Sequence, residues 1–168
     1  MAKDHAYYSL GSFGISTNNE LCVYSEDTVS RRIYTLKLKN LATNELLDIE
    51  IKGTTGGATW ANDNETLFYT LRDEKTLRSH KIMSYNIHTK EHVERYVETD
   101  DTFNCGVGKS KSQKYIVLSC GASITSEYQY LLADTPSEDF TMFQPRIRGL
   151  EYSISHFENK WYIMTNWD

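Results

Sequence analysis

The sequence predicts an all-β fold, and three observations carry that prediction. The composition favours strands, the apolar residues alternate, and a turn-plus-strand unit recurs along the chain. Of 168 residues, 39% are hydrophobic and 24% charged, as in an ordinary globular domain. Twelve Tyr and only two Pro suit strands better than helices. No stretch sustains apolar residues at the i, i+3, i+4, i+7 spacing of a helix. "RRIYTLKLKNL" alternates instead, with Ile33, Thr35, Lys37 and Lys39 on one face and Tyr34, Leu36 and Leu38 on the other.

The recurring unit is a polar turn followed by a short apolar run. The turns are Thr17-Asn18-Asn19-Glu20, Asn62-Asp63-Asn64-Glu65, Ser110-Lys111-Ser112-Gln113 and Phe157-Glu158-Asn159-Lys160, in steps of 45, 48 and 47 residues. Asn and Asp tolerate left-handed backbone, which closes hairpins. The runs that follow are Leu21-Cys22-Val23-Tyr24, Leu67-Phe68-Tyr69, Tyr115-Ile116-Val117-Leu118 and Trp161-Tyr162-Ile163-Met164. Between these hairpins lie others, turning at Thr43-Asn44-Glu45, His88-Thr89-Lys90-Glu91 and Asp134-Thr135-Pro136-Ser137. Each period therefore holds four antiparallel strands, the plan of a β-propeller blade. One such sheet cannot bury both faces, and stacking blades covers them.

The expected architecture is a partial β-propeller of about three and a half blades. It has about fourteen strands and little or no helix. The blades fall at 6–53, 54–100 and 101–148, with a half-blade at 149–168. A complete open array of sheets is the plainer alternative. Val23, Phe68, Val117 and Ile163 are expected to be buried between blades, and Lys37, Lys39 and Lys111 to be accessible. The half-blade would leave its second strand, around Trp161 to Met164, as an open edge that favours self-association.

Charge and length exclude several functions. With 23 Asp and Glu against 18 Lys and Arg the net charge is −5, and no basic stripe is available to neutralise phosphates. No apolar run reaches the length of a membrane span, and no signal-peptide pattern is present, so a soluble, cytoplasmic protein is expected. Cys22, Cys105 and Cys120 lie far apart without CxxC spacing or suitable His partners. They read as reduced, packed thiols rather than zinc ligands or a disulfide framework.

Short motifs add no chemistry. "HTKEH" at His88 to His92 fits the H-x-x-E-H metal pattern, but it falls where a hairpin turn is expected, which would separate the two imidazoles. "GVGKS" at Gly106 to Ser110 ends like a phosphate loop. Phe103 stands where that loop needs glycine, and a strand rather than a helix follows. "GASIT" at Gly121 to Thr125 lacks the final glycine of a nucleophile elbow. His5, His80 and His156 read as surface or packing histidines, and the sequon Asn64-Glu65-Thr66 has no meaning without secretion. No catalytic, cofactor-binding or metal-binding residue is nominated, and no cofactor is implied.

The strings "SEDTVSRRIYTL" and "PRIRGLEY", with "TWANDNETLFYTLRDE", "TSEYQYLLA" and "SISHFENKWYIMTN", carry a resemblance. The chain resembles, over essentially its whole length, the propeller of the oligopeptidase B (protease II) branch of the prolyl oligopeptidase family of serine peptidases. It departs from that branch most around "SYNIHTKEHVERYV", where the hairpin looks shorter. The resemblance implies a seven-bladed propeller that covers an α/β-hydrolase domain with a Ser-Asp-His triad, cleaving short peptides after Arg or Lys. It implies that the hydrolase domain is absent from these 168 residues, so the chain itself is a noncatalytic, size-filtering piece. A stand-alone interaction scaffold is the competing expectation.

Overall fold

The computed structural model describes residues 2–167, so Asp168, at the end of the expected half-blade, lies outside the described residues. After a short 3-10 turn at Ala2–Asp4 the described residues form thirteen strands. They are β1 (Ser9–Ile15), β2 (Leu21–Asp27), β3 (Tyr34–Asn40), β4 (Leu46–Trp60), β5 (Thr66–Arg72), β6 (Ser79–Asn86) and β7 (His92–Val97). They continue with β8 (Asn104–Lys109), β9 (Tyr115–Ala122), β10 (Thr125–Leu132), β11 (Thr141–Gln144), β12 (Tyr152–Phe157) and β13 (Lys160–Thr165). All pairings are antiparallel between sequence neighbours. The result is three four-stranded blades and a two-stranded half-blade.

The count is thirteen rather than fourteen because β4 serves two blades. Its first half pairs with β3 as far as Thr54 opposite Tyr34, and its second half pairs with β5 from Thr54 opposite Leu71. The first seven strands consequently form one hydrogen-bonded sheet. The change of blade is made at Gly53 (φ 76°) and Gly56 (φ 95°), both in left-handed backbone that L side chains rarely adopt. At Gly56 a side chain would also meet the Tyr34 ring at 2.9 Å.

Each inner turn has its left-handed residue: Asn19, Asn64, Gln113 and Glu158. Asp63 shows how the turn is held, its carboxylate accepting from the Glu65 and Thr66 amides at 3.0 and 2.9 Å. "HTKEH" likewise turns, between β6 and β7, with Lys90 left-handed and the Asn86 side chain accepting from the His88 and Thr89 amides.

The blades stack through three apolar layers. Val23, Leu36, Leu38, Ile49 and Ile51 of the first blade pack on Trp60, Leu67, Tyr69, Tyr85 and Ile87 of the second. Phe68 faces the opposite way, onto Ile116, Leu131 and Ala133 of the third blade. Nearby, Ile82 joins Phe103, Cys105, Leu118 and Cys120. The alternation read from "RRIYTLKLKNL" holds, since Leu36 and Leu38 are fully buried.

Four burial expectations need correction. Val23 and Phe68 are buried, but Val117 is only half-buried, and its neighbours Ile116 and Leu118 fill the core. The pleat alternates sides, so a one-residue error in parity exchanges core for surface. Ile163 is 53% exposed: it shares the Trp161 face of β13, toward Phe143 and Gln144 of the third blade, but that blade covers it only partly. Lys37 and Lys39 are half-buried rather than free, and Lys37 pairs with Glu26 at 2.7 Å and Glu50 at 3.2 Å. Lys111 is exposed.

Candidate functional site

The inner turns of successive blades hydrogen-bond to one another, which explains why the turn recurs with polar residues. The Asn18 amide donates to Asn64 Oδ1 at 2.9 Å, joining blade one to blade two. Asn62 Nδ2 donates to the Gln113 carbonyl and to Asp134, joining blade two to blade three. The Ser112 amide donates to the His156 carbonyl, and Lys114 Nζ to Glu158 and Asn159, joining blade three to the half-blade. The amide of Asn64, read as a sequon in the sequence, is thus engaged within the fold.

Beside this ladder the inner strands β1, β4 and β8 converge on a trough of 440 Å³. Phe13 and Ile15 line it from β1, Gly57 and Trp60 from β4, and Gly108 and Lys109 from β8. Lys109 reaches from the third blade to Thr17 of the first, Nζ to Oγ1 3.5 Å. Burial pulls the Lys109 ammonium down from its ordinary value, with Asp134 and Asp63 opposing. Among the described residues, no carboxylate lines the trough. Its wall mixes exposed apolar Phe13 and Ile15 with polar Ser12, Thr17, Thr59, Gln113 and the cationic Lys109.

The second concentration of chemistry lies at the other ends of the strands, between blades two and three. Glu98, 3% exposed, follows β7, and Glu127, 6% exposed, sits in β10. Arg146, after β11, bridges them, pairing with Glu98 and, through Nε at 3.0 Å, with Glu127. Its guanidinium lies 3.8 Å over the Phe103 ring and donates to the Tyr96 hydroxyl. Burial pushes the Glu98 carboxyl up, but Arg146, the Asp100 amide and the Tyr96 hydroxyl together hold it below the usual range. Arg78 secures the same segment by donating to the carbonyls of Glu98, Asp100 and Phe103.

This cluster was not found by motif reading, because Glu98 and Arg146 are 48 residues apart. Its cysteines were accessible to a different reading: counting back from the turn at Ser110-Gln113 sets Cys105 opposite Cys120. Among the described residues, Glu98, Cys105 and Cys120 form the one group of three candidate metal ligands within 4.8 Å of each other.

The residues weighed in the sequence are scattered. His88 stands exposed on a turn, 3.8 Å from Glu65, whereas His92 opens β7. The His92 ring packs at 4.5 Å on Tyr85 and its Nδ1 lies 2.8 Å from the Tyr69 hydroxyl, so the two imidazoles serve different partners. Burial, with Tyr85 adding to it, pushes the Tyr69 hydroxyl up to about 12. Gly106–Lys109 lies in strand β8, and Gly121–Thr125 runs from the end of β9 through a two-residue turn to the start of β10. His5 is exposed and His80 half-buried. His156 is buried, held by Ser112 Oγ at 2.7 Å between the rings of Tyr115 and Trp161.

Four-stranded antiparallel sheets, stacked face to face with their inner strands around a common trough, define a β-propeller domain. The chain belongs to the prolyl oligopeptidase family: the family model for the prolyl oligopeptidase N-terminal beta-propeller domain matches residues 1–168. The chain is 36% identical over 96% of its length to a dipeptidyl aminopeptidase BI of Pseudoxanthomonas mexicana, and spans 22% of that relative. It is 28% identical over 99% of its length to Protease 2 of Moraxella lacunata, and spans 24% of it. Oligopeptidase B from Leishmania major superposes with a TM-score of 0.92 at 22% identity, matching 98% of this chain and 24% of that one. The oligopeptidase B of Trypanosoma brucei, with covalently bound antipain, gives 0.88 at 23%, matching 99% and 24%. The chain therefore spans about a quarter of the length of the relatives it matches.

Proposed function

We propose that the chain is the size-filtering propeller portion of a serine oligopeptidase that hydrolyses short peptides after Arg or Lys. The observation that supports this reading is the convergence of β1, β4 and β8 on a trough lined by apolar and polar residues and Lys109, with no carboxylate among the described residues. Such a wall admits an extended peptide but offers no anion to select a basic side chain. Nucleophile, base and basic-side-chain recognition then reside on an α/β-hydrolase domain outside these residues, with the blades at 6–53, 54–100, 101–148 and 149–168. No helix among the described residues is long and apolar enough to cross a membrane, and the three cysteines are unpaired thiols. Both features support a cytoplasmic setting. In isolation, the exposed edge of β13 pairs with a second copy of the chain.

A second reading follows from the relative at 36% identity, which is named a dipeptidyl aminopeptidase. In that case the same propeller would admit peptides for dipeptide release from the amino terminus. The test offers the whole product of the gene short peptides with internal Arg or Lys, and identifies the fragments by mass spectrometry. Cleavage after the basic residue supports the first reading; dipeptide release alone supports the second. The 168-residue chain by itself is expected to be inactive, because it contains no activated nucleophile. Turnover by the 168-residue chain that a serine-directed inhibitor blocks would overturn the assignment. So would a gene product inert to every such peptide, which would favour a binding scaffold.

A further inference from the structure

Cys105 and Cys120 are register partners on the antiparallel strands β8 and β9. The Ser110 amide donates to the Tyr115 carbonyl at 2.8 Å, which makes that pair a hydrogen-bonded one. Pair types alternate along an antiparallel ladder. Stepping back through Lys109–Ile116, Gly108–Val117, Val107–Leu118 and Gly106–Ser119 makes Cys105–Cys120 a non-hydrogen-bonded pair. At such pairs the Cα atoms approach to about 4.5 Å and the side chains lie closest, within the range that a disulfide spans. Both sulfurs are within 4.8 Å of each other and of Glu98, and both residues are buried, at 5% and 1% exposure.

We propose that Cys105 and Cys120 are an oxidisable dithiol that closes to a cross-strand disulfide when the chain meets a peroxide. One sulfur attacks a peroxide oxygen, the O–O bond breaks, and a sulfenic acid forms with release of water. The second sulfur displaces that hydroxyl as water and forms the S–S bond. Two thiols lose two electrons and two protons, and hydrogen peroxide takes them up as two waters. The hydrogen bond to Cys120 and burial both push the Cys105 thiol up, so the sulfurs rest protonated, the attack is slow, and only an oxidant small enough to reach the buried pair can drive it.

The charges around the pair favour a disulfide over a metal. Glu98 already accepts from Arg146, from the Tyr96 hydroxyl at 3.0 Å and from the Asp100 amide at 2.8 Å. A divalent cation would have to displace the guanidinium. A neutral disulfide leaves the Glu98–Arg146–Glu127 bridge in place. Closing it fastens β8 to β9 beside the second blade, where Ile82 and Tyr96 pack on the two sulfurs' layer.

The test treats the full chain with hydrogen peroxide, alkylates under denaturing conditions, digests with trypsin and maps the peptides. The expected product joins Tyr96–Lys109 to Tyr115–Arg146 through Cys105 and Cys120, is released by dithiothreitol, and is retained in Cys22→Ser. The melting midpoint should rise by about 6 °C on oxidation, and Cys120→Val should abolish that rise. Should Cys120→Val not fold, the peptide map of the unaltered chain decides alone. Alkylation of both cysteines after oxidation, or their recovery as sulfinic acids, overturns the proposal. Binding of one zinc per chain that shields both thiols overturns it in favour of a metal site.

Discussion

β5 and β13 occupy the same place in their blades, second from the axis, and their fates are opposite. In β5 the five residues Thr66 to Thr70 are all buried, because Leu67 and Tyr69 face the first blade while Phe68 faces the third. In β13 only Trp161 is half-buried, and Tyr162, Ile163 and Met164 are exposed. Both strands are aromatic and aliphatic, so intrinsic strand preference does not distinguish them. The number of neighbouring blades does. In a stacked array the stabilising term is the interface between units, and an apolar strand becomes core only when both faces are covered.

That comparison is sharpened most by Phe68→Ala, which empties the layer between blades two and three. A loss of about 4 kcal/mol is expected, read as a lowered midpoint in urea denaturation. A loss below about 1 kcal/mol would mean that the blades are not coupled through this face.

Arg146→Met probes the same interface through charge. It leaves two buried carboxylates without their cation, and about 3 kcal/mol should be lost at neutral pH. The sign of its pH dependence is fixed. Glu98 titrates below its ordinary 4.5 in the folded chain, so its contribution is complete above that value and fades as pH falls through the folded value. The gap between parent and variant should therefore narrow below about pH 4.5. A gap independent of pH would show that Arg146 acts by packing on Phe103 alone.

The smallest effect belongs to β13. Ile163→Ala should change stability by no more than about 0.5 kcal/mol. Light scattering should report a mass above 19.4 kDa for the parent chain and a shift toward the monomer for the variant. A monomeric parent at high micromolar concentration would show that the open edge is tolerated.

Much of this was legible in the sequence, for reasons that differ by element. The recurring turns announced the blades because left-handed backbone at Asn19 and Asn64 leaves a compositional trace. The continuity of β4 was not legible, since Gly53 and Gly56 look like a strand end when their hydrogen-bonded partners are unseen. Val117 was misassigned because a run of four apolar residues does not declare its parity. The Glu98–Arg146–Glu127 bridge left no local signal, as its members come from three separate segments. The trough was equally hidden: Phe13 and Lys109 become neighbours only when the blades close up.

β4 also has a mechanical meaning. Adjacent blades in a propeller are usually joined by a loop that can hinge, and each can then loosen by itself. Here a single strand of 15 residues crosses from one blade to the next while remaining hydrogen-bonded on both sides. Separating blades one and two would break a sheet instead of opening a joint. The pair should therefore breathe as one cooperative unit in hydrogen exchange, with slippage confined to the boundaries on either side of blade three.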